Sequence, residues 1–242
     1  MRGNARTVAL RKLIHVLLAV LLLLPFIDPA ALGQISPLTY YCIAVFTAAL
    51  INSIHVKYPF YRDKLLEAFS TARRKAIMDL KNLIATNRIP AGTRLIESVD
   101  GFEEAMERLE EAMKGEIRRM ERGYETIAGY IGITFGALGI LISYVLFEQR
   151  TFYGILSLII LDPAAAIVGN LTGRHKLPLS NATLEGALAG FTAFTTALVI
   201  LGLKPVQAVI LAAVASLVEV YGIEDNLTLP VIVAATAMFL GV

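Results

Sequence analysis

Seven acidic residues follow position 124 in a stretch that is otherwise nearly uncharged: Glu125, Glu148, Asp162, Glu185, Glu219, Glu224 and Asp225. A charged group inside a bilayer costs about 2.5 to 3.5 kcal/mol on insertion scales, so one retained there points to function. Glu125 and Glu148 fall at the ends of apolar runs, where water reaches them. Asp162 does not: it lies some ten residues into its run, roughly 15 Å deep at 1.5 Å per residue. Pro163 follows it, so the structural alternative is a carboxylate capping a helix that restarts at Pro163. Downstream, Gly169 and Gly173 lead into a basic loop, Arg174-His175-Lys176, whose donors suit anionic oxygens, and the two glycines let backbone approach a ligand. The same loop also serves as an ordinary topogenic signal, and the chain has no Walker-type phosphate cradle. Asp162, Glu185 and Glu219 fall in three different apolar segments, and Asp225 with Glu224 and Asn226 falls in the short link before the last one; the four carboxylates are expected to approach one side of the membrane. Four carboxylates beside such a loop suit Mg²⁺ with a polyphosphate, and a proton or ion relay is the competing use.

Those residues need helices to hold them. Of 242 residues 56% are hydrophobic and 17% charged, against about 25% charged in a soluble domain. Mean hydropathy is +0.66. The charge is also segregated, since 14 of the 22 Lys and Arg lie between Lys57 and Arg122. This excludes an ordinary soluble enzyme, and a net charge of +2 points to no nucleic-acid partner. The single Cys42 can form no intrachain disulfide.

The apolar runs predict an all-α polytopic membrane protein with about seven transmembrane helices, near 11–30, 37–56, 126–147, 152–169, 183–203, 205–221 and 228–242. The domain plan is two helices in 1–56, a cytosolic helical hairpin in 57–123 and a five-helix membrane catalytic region in 124–242. With the N-terminus in the cytoplasm, 20 of the 22 basic residues fall inside, leaving Arg150 and Lys204 outside. The N-x-T tripeptides at Asn170, Asn181 and Asn226 are then cytosolic and are chance matches to the glycosylation pattern. Glycine stripes, Gly129-Gly132-Gly136-Gly139 and Gly186-Gly190, are the spacing that lets helix backbones approach. His55, Tyr58, Phe60 and Tyr61 read as interfacial anchors. In the hairpin, a break at Pro90 and Gly92 separates two amphipathic halves. One has Leu66, Phe69, Ala76, Ile77, Leu80, Leu83 and Ile84 on its apolar face. The other has Phe102, Met106, Leu109, Met113, Ile117 and Met120, with Asp100 and Glu103 in capping positions.

Taken in order, these segments resemble the CTP-dependent lipid kinases: dolichol kinase, phytol kinase and the CTP-using diacylglycerol kinase. The resemblance rests on Asp162-Pro-Ala-Ala-Ala-Ile-Val-Gly169, Gly173-Arg-His-Lys176 and Thr183-Leu-Glu-Gly186, which are similar to that family's nucleotide-binding signature. Arg11-Lys-Leu-Ile-His15 resembles the basic start of its first helix, and Glu219 with Asp225-Asn-Leu-Thr-Leu-Pro230 its acidic ending. The likeness covers the start of the chain and the part from Glu125 onward. Ala182 stands where family members commonly carry Lys, which leaves a phosphate contact there to Lys176 or Arg174.

The resemblance implies transfer of the γ-phosphoryl group of CTP to a lipid alcohol, most simply dolichol or another polyprenol, with phytol-like alcohols and diacylglycerol as other acceptors. It implies Mg²⁺ held by Asp162, Glu185, Glu219 and Asp225. It implies catalytic roles for Asp162, Glu185 and Asp225, with Asp162 as metal ligand or hydroxyl base. It places CTP against Gly169, Gly173, Arg174, His175, Lys176, Thr183, Gly186 and Asn226. Arg11, Lys12 and His15 are implied as lipid or nucleotide contacts; for His15, neutral packing is the alternative. Two rivals remain: a phosphatidate cytidylyltransferase-like enzyme making a CDP-lipid, and a small ion-coupled transporter using Asp162 and Glu219 as a relay.

Overall fold

In the computed structural model, residues 5–57, 61–86, 99–104, 106–108, 111 and 131–242 are described, and every regular element among them is a helix. The contacts divide the chain into two units, Met1–Asn52 with Tyr130–Val242, and Ser53–Gly129. The helices are α1 (Ala5–Ile27), α2 (Pro37–Lys57), α3 (Tyr61–Thr86), α4 (Ile131–Phe147), α5 (Thr151–Thr172), α6 (Leu184–Ile200), α7 (Pro205–Tyr221) and α8 (Asp225–Phe239).

In the first unit, contacts between distant residues fix helix directions. Tyr40 and Tyr41 donate from their hydroxyls to the carbonyls of Leu21 and Leu22, at 2.7 and 3.0 Å, so α2 folds back along α1. Ser143 donates to the Thr151 hydroxyl at 3.1 Å. In one straight helix those residues would stand about 12 Å apart, so the chain reverses at Glu148–Arg150, where Glu148 takes φ 46°. The α1 and α5 helices are antiparallel, pairing Lys12 with Asp162 near one end and Phe26 with Phe152 (5.9 Å between ring centroids) near the other. Helices α1, α4, α6 and α8 thus start at one end of the unit, and α2, α5 and α7 finish there. The opposite end is closed by rings: Phe26 and Tyr41 both pack on Tyr144, at 6.4 and 5.2 Å.

The core includes Tyr41, Ile140, Leu158, Phe194, Leu211 and Val233, each without solvent exposure or nearly so. Large apolar side chains also face outward, among them Phe46 (68% exposed), Val206 (70%) and Leu217 (60%). Among the described residues, two stretches are long and apolar enough to cross a membrane, Pro37–Ile54 and Gly132–Thr172. The second contains the reversal at Glu148–Arg150 and so supplies both α4 and α5.

Glycine permits the closest packing. A Cβ on Gly154 would lie 2.8 Å from Pro230 Cα and closer still to the Pro230 carbonyl oxygen, because the backbones of α5 and α8 touch there. Gly154→Ala is therefore expected to destabilise the unit by about 1 to 3 kcal/mol, the usual range for overpacking. Thermal unfolding in detergent measures this, and an unchanged midpoint would show that the two backbones separate freely.

Two sequence expectations change. Helix α5 runs unbroken through Asp162 and Pro163, so Asp162 is not the cap of a restarted helix. A proline interrupts one main-chain hydrogen bond, here from position 163 to Ile159, and the surrounding packing carries the helix across. Helix α8 begins at Asp225, so Asp225 and Asn226 occupy its first turn and not the link before it.

In the second unit, Arg74 pairs with Glu107 at 2.9 Å, and Lys81 with Asp100 at 2.5 Å and Glu103 at 2.8 Å. Rising numbers on α3 meet falling numbers on the segment 99–108, the order of an antiparallel helical pair. The bonds to Asp100 and then Glu103 raise the Lys81 pKa. That pairing is complete at neutral pH and is lost as pH rises through the raised value. The apolar face is narrower than the sequence predicts: Ile77 and Ile84 are buried, whereas Leu80, Leu83 and Phe102 are exposed. The break at Pro90 and Gly92, and Leu109, Met113, Ile117 and Met120, lie outside the described residues.

Candidate functional site

Asp162 is buried at the middle of α5, with 1% of its side chain exposed. Its partners come from far along the chain. Lys12 on α1 makes an ion pair with Oδ1, and His15, one turn later, places Nε2 3.4 Å from Oδ2. Three residues is the spacing that puts both on one face of a helix. Carboxylate oxygens of Asp162, Glu219 and Asp225 all lie within 4.8 Å of one another. Glu219 stands in the last turn of α7 and Asp225 in the first turn of α8, joined by a three-residue link that turns both toward α5. The Asp225 carboxylate also accepts from the Asn226 amide at 2.8 Å. Asp162 is buried and Glu219 and Asp225 are half-buried, all near a single lysine, and among the described residues the buried atom Glu219 Oε2 has no hydrogen-bond partner. An unpaired buried acceptor of that kind is costly unless a cation or donor reaches it.

The glycines Gly132 and Gly136 of α4 make room for Asn226, whose amide nitrogen would lie 3.2 Å from a Cβ at Gly132. Asn226 is thereby held under α4 at 9% exposure, next to the carboxylates.

A second polar group surrounds the 173–183 loop. His175 Nδ1 lies 2.7 Å from Glu185 Oε1, and the His175 amide donates to both Glu185 oxygens at 3.3 Å. Lys176 and Thr183 form a backbone bridge, and Thr183 caps α6 by accepting from the Gly186 amide at 3.2 Å. The Ser180 hydroxyl donates to the Val220 carbonyl at 2.8 Å, which ties the loop to the α7 turn that carries Glu219. Leu179, at φ 59°, projects wholly into the surroundings.

The structure therefore brings together Lys12, His15, Asp162, Glu219, Asp225 and Asn226. It does not bring Glu185 into the carboxylate cluster; that side chain is engaged by His175. Arg174, His175 and Lys176 are exposed at the same end of the unit. Gly169, Gly173 and Gly186 are occupied by packing among themselves: a Cβ on Gly186 would lie 2.6 Å from the Ala165 carbonyl, and one on Gly173 2.6 Å from the Thr183 hydroxyl. The side chain of Arg11 lies outside the described residues. What sequence reasoning missed was the direct contact of Lys12 and His15 with Asp162. The available signal was their three-residue spacing near the start of an apolar helix.

The arrangement also includes a cavity of about 310 Å³ between α1, α2 and α4, with His15 on its wall. Comparison with known proteins gave no match to a family model, to a curated protein or to a solved structure.

Proposed function

We propose that this chain is a membrane-embedded kinase that transfers the γ-phosphoryl group of CTP to the hydroxyl of a lipid alcohol. The observation that carries the reading is the meeting of Asp162, Glu219 and Asp225, from three helices, within 4.8 Å. Asp162 is buried and its two companions are half-buried, and the loop with three basic residues is tied through Ser180 to the α7 turn that carries Glu219. The resemblance of the segments around these residues to CTP-dependent lipid kinases supports the same chemistry.

The donor set fits Mg²⁺, which takes carboxylate oxygens together with phosphate oxygens, and Glu219 Oε2, buried and without a hydrogen-bond partner among the described residues, is an oxygen such an ion would satisfy. Asp162, Glu219 and Asp225 would hold it, and it would neutralise charge on the transferred phosphoryl group. The chain's own side chains do the rest. Asp162 is positioned to accept the proton of the attacking hydroxyl, and Lys12 supplies positive charge beside it. His15 stands between this centre and the apolar cavity. Asn226 offers an amide donor, and Arg174 and Lys176 offer guanidinium and ammonium groups to the outer phosphates. Phosphoryl transfer depends mainly on positioning and charge neutralisation, which these groups provide.

In this reading α1, α2 and α4 to α8 are seven membrane spans, and the carboxylate end faces the cytosol, the side that holds CTP. Leu179→Cys, at a fully exposed position, should react with impermeant thiol reagents only from the cytosolic side, once exposed Cys42 is replaced by Ala. Labelling of intact cells from outside would reverse the orientation.

The function is tested with purified protein in vesicles containing a polyprenol, supplied with CTP and Mg²⁺. Alcohol-dependent release of CDP is expected. Release of pyrophosphate with phosphatidate would indicate nucleotide transfer, and ion flux without nucleotide turnover would indicate a transporter.

A further inference from the structure

The second unit carries an apolar face that its own packing leaves exposed. Its ion pairs fix how the two helical stretches are turned: Arg74 and Lys81 of α3 meet Glu107, Glu103 and Asp100 of the segment 99–108 along one side. At about 100° per residue, one such step round α3 from Lys81 passes buried Ile77 and Ile84 and reaches exposed Leu80. The same turn round the partner segment from Glu103 passes half-buried Val99 and Met106 and reaches exposed Phe102. In an antiparallel pair, equal turns in the same sense lead to the same side. Leu80 and Phe102 therefore emerge together on the side away from the ion pairs, and they stand level, since Lys81 reaches both Asp100 and Glu103. Exposed Ala76 and Leu83 widen the face on α3.

We infer that this face rests on the lipid surface of the membrane that α2 crosses, with α3 lying along the headgroups. The proposal rests on the membrane reading of α2, whose stretch Pro37–Ile54 is long and apolar enough to span, and not on the kinase reading. Three observations select lipid over a protein partner. Only three residues separate Lys57, the end of α2, from Tyr61, the start of α3, so the gap spans at most about 14 Å. The chain itself thus holds the start of α3 at the membrane boundary, where the effective concentration of lipid surface is high. Leu80, Leu83 and Phe102 are 47, 58 and 59% exposed, a patch of a few hundred Å², against about 800 Å² per partner in a stable protein complex. A lipid surface needs no matching shape, and an amphipathic helix sinks its apolar face about 5 to 10 Å into the headgroup boundary. The margins of the face carry Arg73 on one side and Lys75 with Asp79 on the other. Mixed margins of that kind make burial of apolar surface, and not attraction to anionic lipid, the driving term.

The chain contains no tryptophan, so Phe102→Trp places a single fluorescent reporter on the face. The full-length variant is reconstituted into phosphatidylcholine vesicles in which part of the lipid carries bromine, a fluorescence quencher, on its acyl chains. Emission is expected to fall about twofold or more with lipid brominated close to the headgroup, and less with lipid brominated near the chain ends, without any anionic lipid. Glu104→Trp, on the far side of the same segment, should respond to iodide in the water and not to brominated lipid. Leu80→Asp combined with Leu83→Asp, both at exposed positions, should abolish the lipid quenching of Phe102→Trp and leave the thermal unfolding midpoint nearly unchanged. A Phe102→Trp reporter open to iodide and untouched by brominated lipid would overturn the proposal. Shielding from both quenchers would also overturn it by placing the face against protein, and disulfide-linked dimers of Leu80→Cys, made with Cys42→Ala, would then identify a second copy. A chain that does not float with the vesicles would remove the membrane reading too, whereas one that floats with an unquenched reporter overturns the hairpin assignment alone.

Discussion

Asp162→Asn is expected to lower turnover by about a thousandfold or more while the protein still inserts and purifies as the wild type does. The substitution preserves size and removes the charge that a metal ion and an attacking hydroxyl both need. Losses of this order are typical when a group acting directly on the reacting atoms is removed. The fold should survive because Lys12 is not left without a counter-charge: Glu219 and Asp225 remain beside the site. Turnover is measured as alcohol-dependent CDP release, and folding as the thermal unfolding midpoint. Near-normal turnover would reduce Asp162 to a partner for Lys12 and leave the proposed site without a centre.

Lys12→Met should have the opposite signature. It removes the cation that forms the ion pair with buried Asp162 and leaves that carboxylate facing those of half-buried Glu219 and Asp225. Breaking a buried pair in this way costs about 3 to 5 kcal/mol, equivalent to a fall of order 10 °C in the unfolding midpoint for a chain of this size. A divalent cation should then return much of the lost stability, because ligand binding to the folded state stabilises it by mass action. Unfolding curves with and without millimolar Mg²⁺ or Mn²⁺ provide the check. The metal-induced upward shift should be larger in Lys12→Met than in the wild type. Equal shifts in the two proteins would show that Lys12 and a cation do not share the carboxylates.

The contrast between those two variants reflects what the sequence could and could not disclose. Asp162 was legible as a candidate, and its burial as an expectation, because depth in an apolar run makes an uncompensated charge expensive. Its partners were not, since Lys12 lies 150 positions away and only the antiparallel packing of α1 on α5 brings the two together. Periodicity reports which face of a helix is apolar and is silent about which helix covers it. Glu219 and Asp225 were legible as candidates, yet their convergence with Asp162 depends on the tight turn at 222–224 and on where α8 starts. Glu185 looked equivalent to them, and its separation from the cluster follows from a local event, the bond from His175. The glycines of the 169–186 region advertised close approach, but a sequence does not say whether the approaching group is ligand or backbone. The alternation of helix directions in the first unit was largely legible from the order of apolar runs and their polar breaks. The cavity between α1, α2 and α4 was not legible, because a cavity is defined by the side chains of separate elements.

The most direct measurement of the central claim uses CTP carrying one isotope at the γ-phosphorus and another in the cytosine ring. It is incubated with the purified protein, Mg²⁺ and a polyprenol, and the lipid is then extracted. The account predicts γ-phosphorus label in the lipid with no cytosine label, and loss of that signal in Asp162→Asn. Cytosine label in the lipid, or γ-label transfer that persists in Asp162→Asn, would contradict it.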